Sequence, residues 1–368
     1  MKYMGSKKYM LKNGLGELII DQSKNSKNFY DPFCGSASVV WFAAKNIDNK
    51  IIAGDLQGYA VDLANAVLLR EEPIFQNNTL DDWIVEAEQK QSFSVKIKSK
   101  NQIDFVLKSR DYCKNSTKGI ITKSYGGHYF SAEQSLKFDY LLKSIPEREP
   151  YKSIAKSALI IAATFCVASP GHTAQPFQPT KSAIKFIEES WKRDPFIYIR
   201  RALREVTTQF SNKKSRAYVS EATKLLNKVE EGDLVFIDPP YSGVHYSRFY
   251  HVLETISRGN CSKVSGNGRY PDPQERPRSD YSMRGTSVKA FNGLLEQISN
   301  KKASAIITFP LGRCSNGLSG DLVKEMSKKY FRVKKNLIKG TFSTLGGNKK
   351  NRPARLQSAE LVLLLEPK

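Results

Sequence analysis

Paired cysteines, clustered histidines and long apolar runs are all missing from this 368-residue sequence. The five cysteines (Cys34, Cys113, Cys166, Cys261, Cys314) are scattered, with no two at the spacing of a redox or metal pair. They read as reduced thiols of a cytoplasmic chain. None of the four histidines stands at ligand spacing to a cysteine, and His245 and His251 are six apart, neither one helical turn nor alternate strand positions. No bound metal is expected from such a set. The longest apolar candidate, Ala158–Ala168, falls well short of the about 20 residues a membrane-spanning helix needs. Lys12 and Glu17 interrupt the basic N-terminal stretch where a signal peptide would be apolar, so neither secretion nor membrane insertion is expected. Acidic residues are also scarce: 36 Asp and Glu stand against 58 Lys and Arg, a net charge of +22.

Hydrophobic residues make up 40% of the chain and aromatics 11%, which excludes a disordered polymer and suits one large or two modest domains. The positive charge is concentrated. Residues 90–123 carry a net +7, residues 181–216 a net +6, and residues 328–357 ten basic residues with no acid. Phe93, Phe105, Tyr112, Tyr125, Tyr129 and Phe130 are interleaved with or adjoin the first block. Basic blocks with aromatics suit phosphate contact and base stacking, while a solvated lysine-rich surface is the plainer alternative.

Both ends of the chain alternate short apolar runs with helical patterns. Phe29-Tyr30 leads into the small-residue turn Asp31–Ser38 and an apolar helix from Val39; Ile51–Ala53 ends at Gly54-Asp55 and precedes a helical pattern to about Arg70. The pattern resumes with Ala217–Val219, a helix over Ala222–Val229, the strand Leu234–Ile237 and the strand Ala303–Phe309. Ala359–Leu365 closes the sheet, with Thr341-Phe342 as its hairpin partner. This order predicts an α/β fold with a mostly parallel, Rossmann-like sheet and a C-terminal hairpin. Residues 1–70 and 217–368 would form that domain. Residues 71–216 read as an inserted, basic, mainly helical domain, with Ala132–Ser144 and Ile154–Ala168 its clearest helices. Residues 257–289, rich in Gly, Pro, Ser and Arg, read as a long basic loop.

Two segments carry chemistry. The turn after the first strand lets backbone approach a ligand closely, and Asp55, 24 residues after Asp31, ends the second strand where a carboxylate can accept ribose hydroxyls. Asp55 could equally cap its own helix. The second segment is Asp238-Pro239-Pro240-Tyr241, delivered by a wholly apolar strand to the sheet edge where α/β proteins bind ligands. The prolines remove amide donors and leave carbonyls. An aspartate oxygen and a proline carbonyl together make an acceptor pair for an exocyclic amine, and Tyr241 offers a ring on which an extruded base can stack. An ordinary strand-ending Asp-Pro turn is the alternative.

With these residues the chain resembles the Dam-like class of N6-adenine DNA methyltransferases, which use S-adenosylmethionine. Tyr3-Met4-Gly5-Ser6-Lys7, Asp31–Ala37, Asp238–Tyr241, Gly346–Lys350 and Glu360-Leu361-Val362 are similar to segments of that class. The resemblance covers about residues 1–70 and 217–368. It implies a cytoplasmic enzyme, bacterial or phage-encoded, that methylates adenine in double-stranded DNA by base flipping. A cognate restriction endonuclease or phage-defence components become candidate partners. Tyr3 and Lys7 would line the methionine end of the cofactor, with Lys7 on its carboxylate. Asp31, Phe33 and Gly35 would form the turn beneath it, Asp55 would hold the ribose, and Leu56 and Glu221 would meet the adenine. Asp238, Pro239 and Tyr241 would position the target base. RNA adenine, cytosine N4 and a non-catalytic DNA-binding scaffold remain as rival readings.

Ala37 departs from the pattern, standing where the class has glycine; its methyl is tolerable if the residue starts its helix with negative φ. Arg248 is a candidate phosphate contact, as are Lys349, Lys350, Arg352 and Arg355, for which a solvated hairpin loop is the plainer reading. His128 and His172, in glycine-rich turns, are expected to make ordinary surface hydrogen bonds.

Overall fold

Seven strands form one sheet in the order β3-β2-β1-β4-β5-β7-β6. They are β1 (Asn28–Asp31), β2 (Lys50–Asp55), β3 (Arg216–Val219), β4 (Leu234–Ile237), β5 (Ser304–Pro310), β6 (Phe331–Ser343) and β7 (Arg355–Pro367). The first five are parallel to one another, and β7 runs antiparallel to both β5 and β6. The computed structural model describes residues 6–75, 78–90, 93–343 and 355–368. The expected α/β class, parallel sheet and terminal hairpin are all present, with Thr341 opposite Gln357 and Phe342 opposite Leu356.

The sequence explains the layering. All four residues of β4 are buried, as befits a parallel strand covered on both faces. One covering element is the helix Ser287–Asn300. Its Phe291, Leu294, Leu295 and Ile298 recur at helical spacing and pack with Val235, Ile237, Ala305 and Ile307. Register at the other end of the strands is pinned by one buried carboxylate. Asp233 Oδ1 accepts from the Asn28 backbone N–H (3.1 Å) and Asn28 Nδ2 (2.9 Å), Oδ2 accepts from the Glu230 N–H (2.9 Å), and the Asp233 carbonyl accepts from the Ser304 N–H (3.0 Å). One residue thereby ties the starts of β1, β4 and β5.

Contacts divide the chain into two compact units. The sheet unit comprises Gly5–Pro73, Gln209–Tyr246 and Pro277–Lys368; the helical unit comprises Ile74–Thr208 and Ser247–Arg276, together with Met1–Met4 outside the described residues. In the helical unit, Tyr151–Cys166 is the central helix, apolar on almost every side, with Ile154, Ala158, Leu159 and Ala162 fully buried. Around it, Gln102–Lys114 is capped by Asn101, Ala132–Lys143 by a Ser131/Gln134 capping box, and Pro195–Thr207 by Asp194 with proline in the first turn.

The second segment of this unit differs from expectation. The sequence pattern assigns residues 247–276 to the sheet domain and reads 257–289 as one loop. Instead His251–Arg258 is a helix, Ser265 and Tyr270 bridge, short helical turns occupy Pro273–Glu275 and Asp280–Ser282, and Ser287 already begins a long helix. In His251–Arg258, Val252, Leu253 and Ile256 are buried, and polar and aromatic contacts add to them. Thr173 N and Oγ1 both donate to the Phe249 carbonyl (2.7 Å each), and the Tyr125 hydroxyl bonds Thr255 (2.9 Å). The His251 ring sits among Tyr125, Tyr129 and Tyr270.

Replacing Asp233 with Ala removes three hydrogen bonds at part-buried donors on Asn28 and Glu230; about 1–3 kcal/mol of stability is expected to be lost, read as a lower urea midpoint for the sheet unit.

Candidate active site at the carboxyl edge of the sheet

Strands β1 and β4 lie side by side, and the chain proceeds outward from them in opposite directions, through β2 and β3 on one side and β5 on the other. Their carboxyl ends therefore flank a topological switch point, where the connecting segments diverge and leave a crevice. Asp31 ends β1 and Asp238 follows β4 directly, so the two segments singled out in the sequence meet there.

The turn after β1 is built by backbone bonds. The Cys34 N–H donates to the Gly54 carbonyl (3.0 Å) and the Ala37 N–H to the Cys34 carbonyl (2.7 Å). Gly35 has φ 47°, a left-handed conformation that glycine takes freely. Its N–H donates to Asp55 Oδ2 (3.0 Å), while Asp55 Oδ1 accepts from the Gln57 N–H (3.0 Å). Asp55 thus braces both the turn and the start of its own helix. Asp31 is buried and accepts from the Phe33 N–H (3.1 Å). Burial holds its carboxyl well above the usual aspartate range, with Asp238 and Asp55 adding to the rise.

Ala37 does not meet the condition under which its methyl costs nothing. It precedes the helix Ser38–Asn46 with φ 56° and ψ 14°, in the left-handed region, and it is fully buried. The hydrogen bond to Cys34 and the packing of the following helix hold it there against a strain of about 1–2 kcal/mol.

Asp238 is held by an arrangement the sequence did not reveal. Lys7 is 2% exposed, and its Nζ lies 3.0 Å from Asp238 Oδ1 and 2.9 Å from Glu360 Oε2. Thr308 on β5 donates to the same Asp238 oxygen, Oδ1, at 2.9 Å. Both protein donors converge on one oxygen, and among the described residues none donates to Oδ2. Burial alone would lower the Lys7 pKa, but the two carboxylates outweigh it and hold the ammonium above the usual lysine range. Burial raises the Asp238 carboxyl, Lys7 opposes that rise and Glu360 adds to it. Lys7, expected on the cofactor carboxylate, here pairs with Asp238 and Glu360.

The rest of that turn is equally fixed. Fully buried Asn316 donates through Nδ2 to the Pro240 carbonyl (2.9 Å) and the Tyr281 carbonyl (2.9 Å). Pro240 is therefore occupied, and the Pro239 carbonyl is left without a donor among the described residues. Tyr241 is half-buried against the core, and Phe33 meets Tyr281 edge-on at 5.0 Å. Burial, with the neighbouring Tyr241 and Asp238, pushes the Tyr246 phenol well up. Lys7, Thr308, Asn316, Tyr246 and Glu360 acquire these roles only through the fold; of them, Lys7 and Glu360 fell within segments that carried the resemblance.

A family model for the D12 class of N6 adenine-specific DNA methyltransferases matches residues 3–158 and 159–303. The chain belongs to this class. It is 26% identical over 310 residues to the modification methylase LlaI of Lactococcus lactis subsp. lactis, covering 81% of this chain and 44% of that protein. It is 29% identical over 98 residues to the modification methylase StsI of Streptococcus sanguinis, 27% of this chain and 15% of that one. It is also 35% identical over 83 residues to the type II methyltransferase M.FokI of Planomicrobium okeanokoites, 23% of this chain and 12% of that one. The chain thus spans less than half the length of each of these relatives.

The D12 class implies S-adenosylmethionine, and the donor set at the sheet edge fits it in most respects. Asp55 is a carboxylate of the kind that would take ribose hydroxyls, the glycine turn at Gly35 allows close approach, and half-buried Leu56 and Phe33 offer apolar faces. Glu221, after β3, is exposed and 3.3 Å from Lys224, able to turn to an adenine amine. Tyr3, Lys349, Lys350 and Arg352 lie outside the described residues. Arg248 belongs to the helical unit, where its guanidinium lies 4.6 Å over the Tyr270 ring with Arg276 at 5.5 Å. There His172 Nδ1 accepts from the Ala174 N–H (3.0 Å), whereas the His128 Nδ1 is buried without a partner among the described residues, and burial lowers its pKa to about 3. Among the described residues no cluster of His, Cys, Asp and Glu could hold a metal, and no helix is long and apolar enough to cross a membrane.

Ala37→Gly trades relief of left-handed strain against a more flexible unfolded chain; a net gain of about 0.5 kcal/mol is expected in thermal unfolding, where Ala37→Val should instead destabilise.

Proposed function

We propose that this protein transfers a methyl group from S-adenosylmethionine to the N6 amine of adenine in double-stranded DNA, at a specific site and with the base turned out of the helix. The observation that carries this reading is the one-sided satisfaction of Asp238. With Lys7 and Thr308 both on Oδ1, Oδ2 and the Pro239 carbonyl are two acceptors at the switch point. An exocyclic amine has two protons to give to such a pair.

The residues then have distinct tasks. Asp55 takes the ribose hydroxyls, and Leu56 and Glu221 take the purine of the cofactor. Phe33 and Gly35 form the floor of the turn. Tyr241 stacks on the target base. Asp238 Oδ2 and the Pro239 carbonyl hold the amine protons, which withdraws the nitrogen lone pair from conjugation with the ring and stabilises positive charge developing on nitrogen. S-adenosylmethionine, when bound, supplies a methyl carbon already activated by its sulfonium. The remaining work is alignment. Relatives named as modification methylases support a place beside a cognate restriction endonuclease in the cytoplasm.

Tritiated cofactor offered with duplex DNA, single-stranded DNA and total RNA should label duplex DNA at adenine N6. Label confined to RNA would overturn the substrate, and none in any polymer would favour a non-catalytic scaffold. Asp238→Ala should abolish transfer while cofactor affinity stays within about threefold, as expected for an interaction made chiefly with the target amine. Duplex binding should weaken at least about tenfold between 50 and 200 mM salt if the basic blocks contact phosphates; a flat response would remove them from the interface.

A further inference from the structure

Glu360 has no part in the reading above, yet it completes the charge arrangement around the catalytic carboxylate. It lies on β7 opposite Pro310, two positions from Val362, which pairs with Thr308. Alternation along the strands therefore places Glu360 and Thr308 on the same face of the sheet. Thr308 reaches Asp238 directly, and Glu360 reaches it through Lys7. The side chains of Glu360, Asp238 and Lys7 are only 16%, 19% and 3% exposed, so their charges act with little screening by water.

The arrangement resolves a conflict in what Asp238 must be. A buried carboxylate with no cation takes up a proton and ceases to accept from an amine. A carboxylate that alone neutralises a buried ammonium stays ionised but spends its basicity on that partner. Lys7 bound to two carboxylates falls between these limits. The ammonium has three protons, and Glu360 fixes one of them, and with it the position of Nζ on the Oδ1 side.

We propose that Glu360 is a positioning residue for Asp238: by sharing Lys7 it anchors the ammonium on Oδ1 and leaves Oδ2 a strong acceptor for the target amine. This rests on the reading of Asp238 as the amine acceptor. The titratable groups facing Asp238 are Lys7 from the N-terminal segment, Asp31 at the end of β1, Tyr246 beyond the catalytic turn and Glu360 on β7. Of the two that bear directly on Lys7 and Asp238 together, Glu360 is the one whose charge can be removed without touching the turn.

The sign of the effect follows. The negative charge of Glu360 raises the proton affinity of Asp238, and Lys7 lowers it. In Glu360→Gln the charge of Lys7 falls wholly on Asp238, so the carboxyl becomes more acidic and a poorer acceptor. The acid limb of the kcat–pH profile should move down by about 0.5–1 unit, and kcat at neutral pH should fall about tenfold. KM for DNA and for cofactor should stay within about twofold. Glu360→Asp keeps the charge and should hold the limb near its wild-type position while restoring part of kcat. Lys7 retains Asp238 in both variants, and unchanged melting temperatures would show that both are folded. A limb that stays in place in Glu360→Gln overturns the proposal, whether or not kcat falls. A wild-type protein that methylates nothing defeats the parent reading instead; the Asp238 carboxyl titration followed by carbon-13 NMR in wild type and Glu360→Gln then decides the inference without turnover.

Discussion

An ammonium buried between two carboxylates is the interaction on which the carboxyl edge of the sheet depends. Removing three charges from water costs several kcal/mol per ion, and well-packed apolar residues could fill the same space at no loss of stability. Such a group is retained for what its geometry permits. Here Lys7 precedes the first strand and Glu360 lies on the last, so a contact between residues 353 apart in sequence closes the ends of the sheet unit onto its central strand. Asp238 cannot be placed by its own strand alone. Its rotamer is set by donors from the N-terminal segment and from β5, and the residue that steadies one of those donors comes from β7.

Carboxylates serve the same structural end elsewhere in this unit, but by a different route. Asp233 and Asp55 accept backbone N–H groups rather than ammonium ions, Asp233 where β1, β4 and β5 begin and Asp55 where β2 ends. Amide donors cannot move independently of the chain, so these two aspartates fix backbone. Lys7 is a flexible side chain, and it fixes a side chain. The distinction separates the parts of the sheet that hold register from the part that must present a free oxygen.

The sheet is legible in the sequence because its signals are local. Leu234–Ile237 is a run of apolar residues with its end marked by Asp-Pro-Pro, and the helix and strand periods on either side leave little choice of order. The turn at Asp31 and the brace at Asp55 can be read for the same reason. The residues that complete the site cannot. Thr308 is one polar position within an apolar strand, Asn316 sits in an irregular segment with no motif around it, and Glu360 meets Lys7 only after β7 has inserted antiparallel between β5 and β6. The segment 247–276 escapes a sequence reading because its helix is short: Val252, Leu253 and Ile256 are buried, but hydrogen bonds and aromatic rings with no pattern in the sequence join them in attaching it to the helical unit. The positive φ of Ala37 is hidden too, because composition does not distinguish a residue that begins a helix from one that is bent into position by the helix that follows.

The chain's charge is distributed in a way that suits both halves of a reaction on DNA. The protein as a whole carries +22, yet the carboxyl edge of the sheet carries Asp31, Asp55 and Asp238, with Lys7 buried between Asp238 and Glu360. A uniformly basic surface would attract phosphates everywhere, including into the crevice proposed to take the target amine. An acidic crevice repels the phosphodiester backbone and accepts groups that bear protons, such as ribose hydroxyls and exocyclic amines. It also stabilises positive charge as that charge develops on nitrogen. On the proposed reading, the excess of lysine and arginine outside the crevice would hold the duplex by its backbone, and the carboxylates within it would admit only the base.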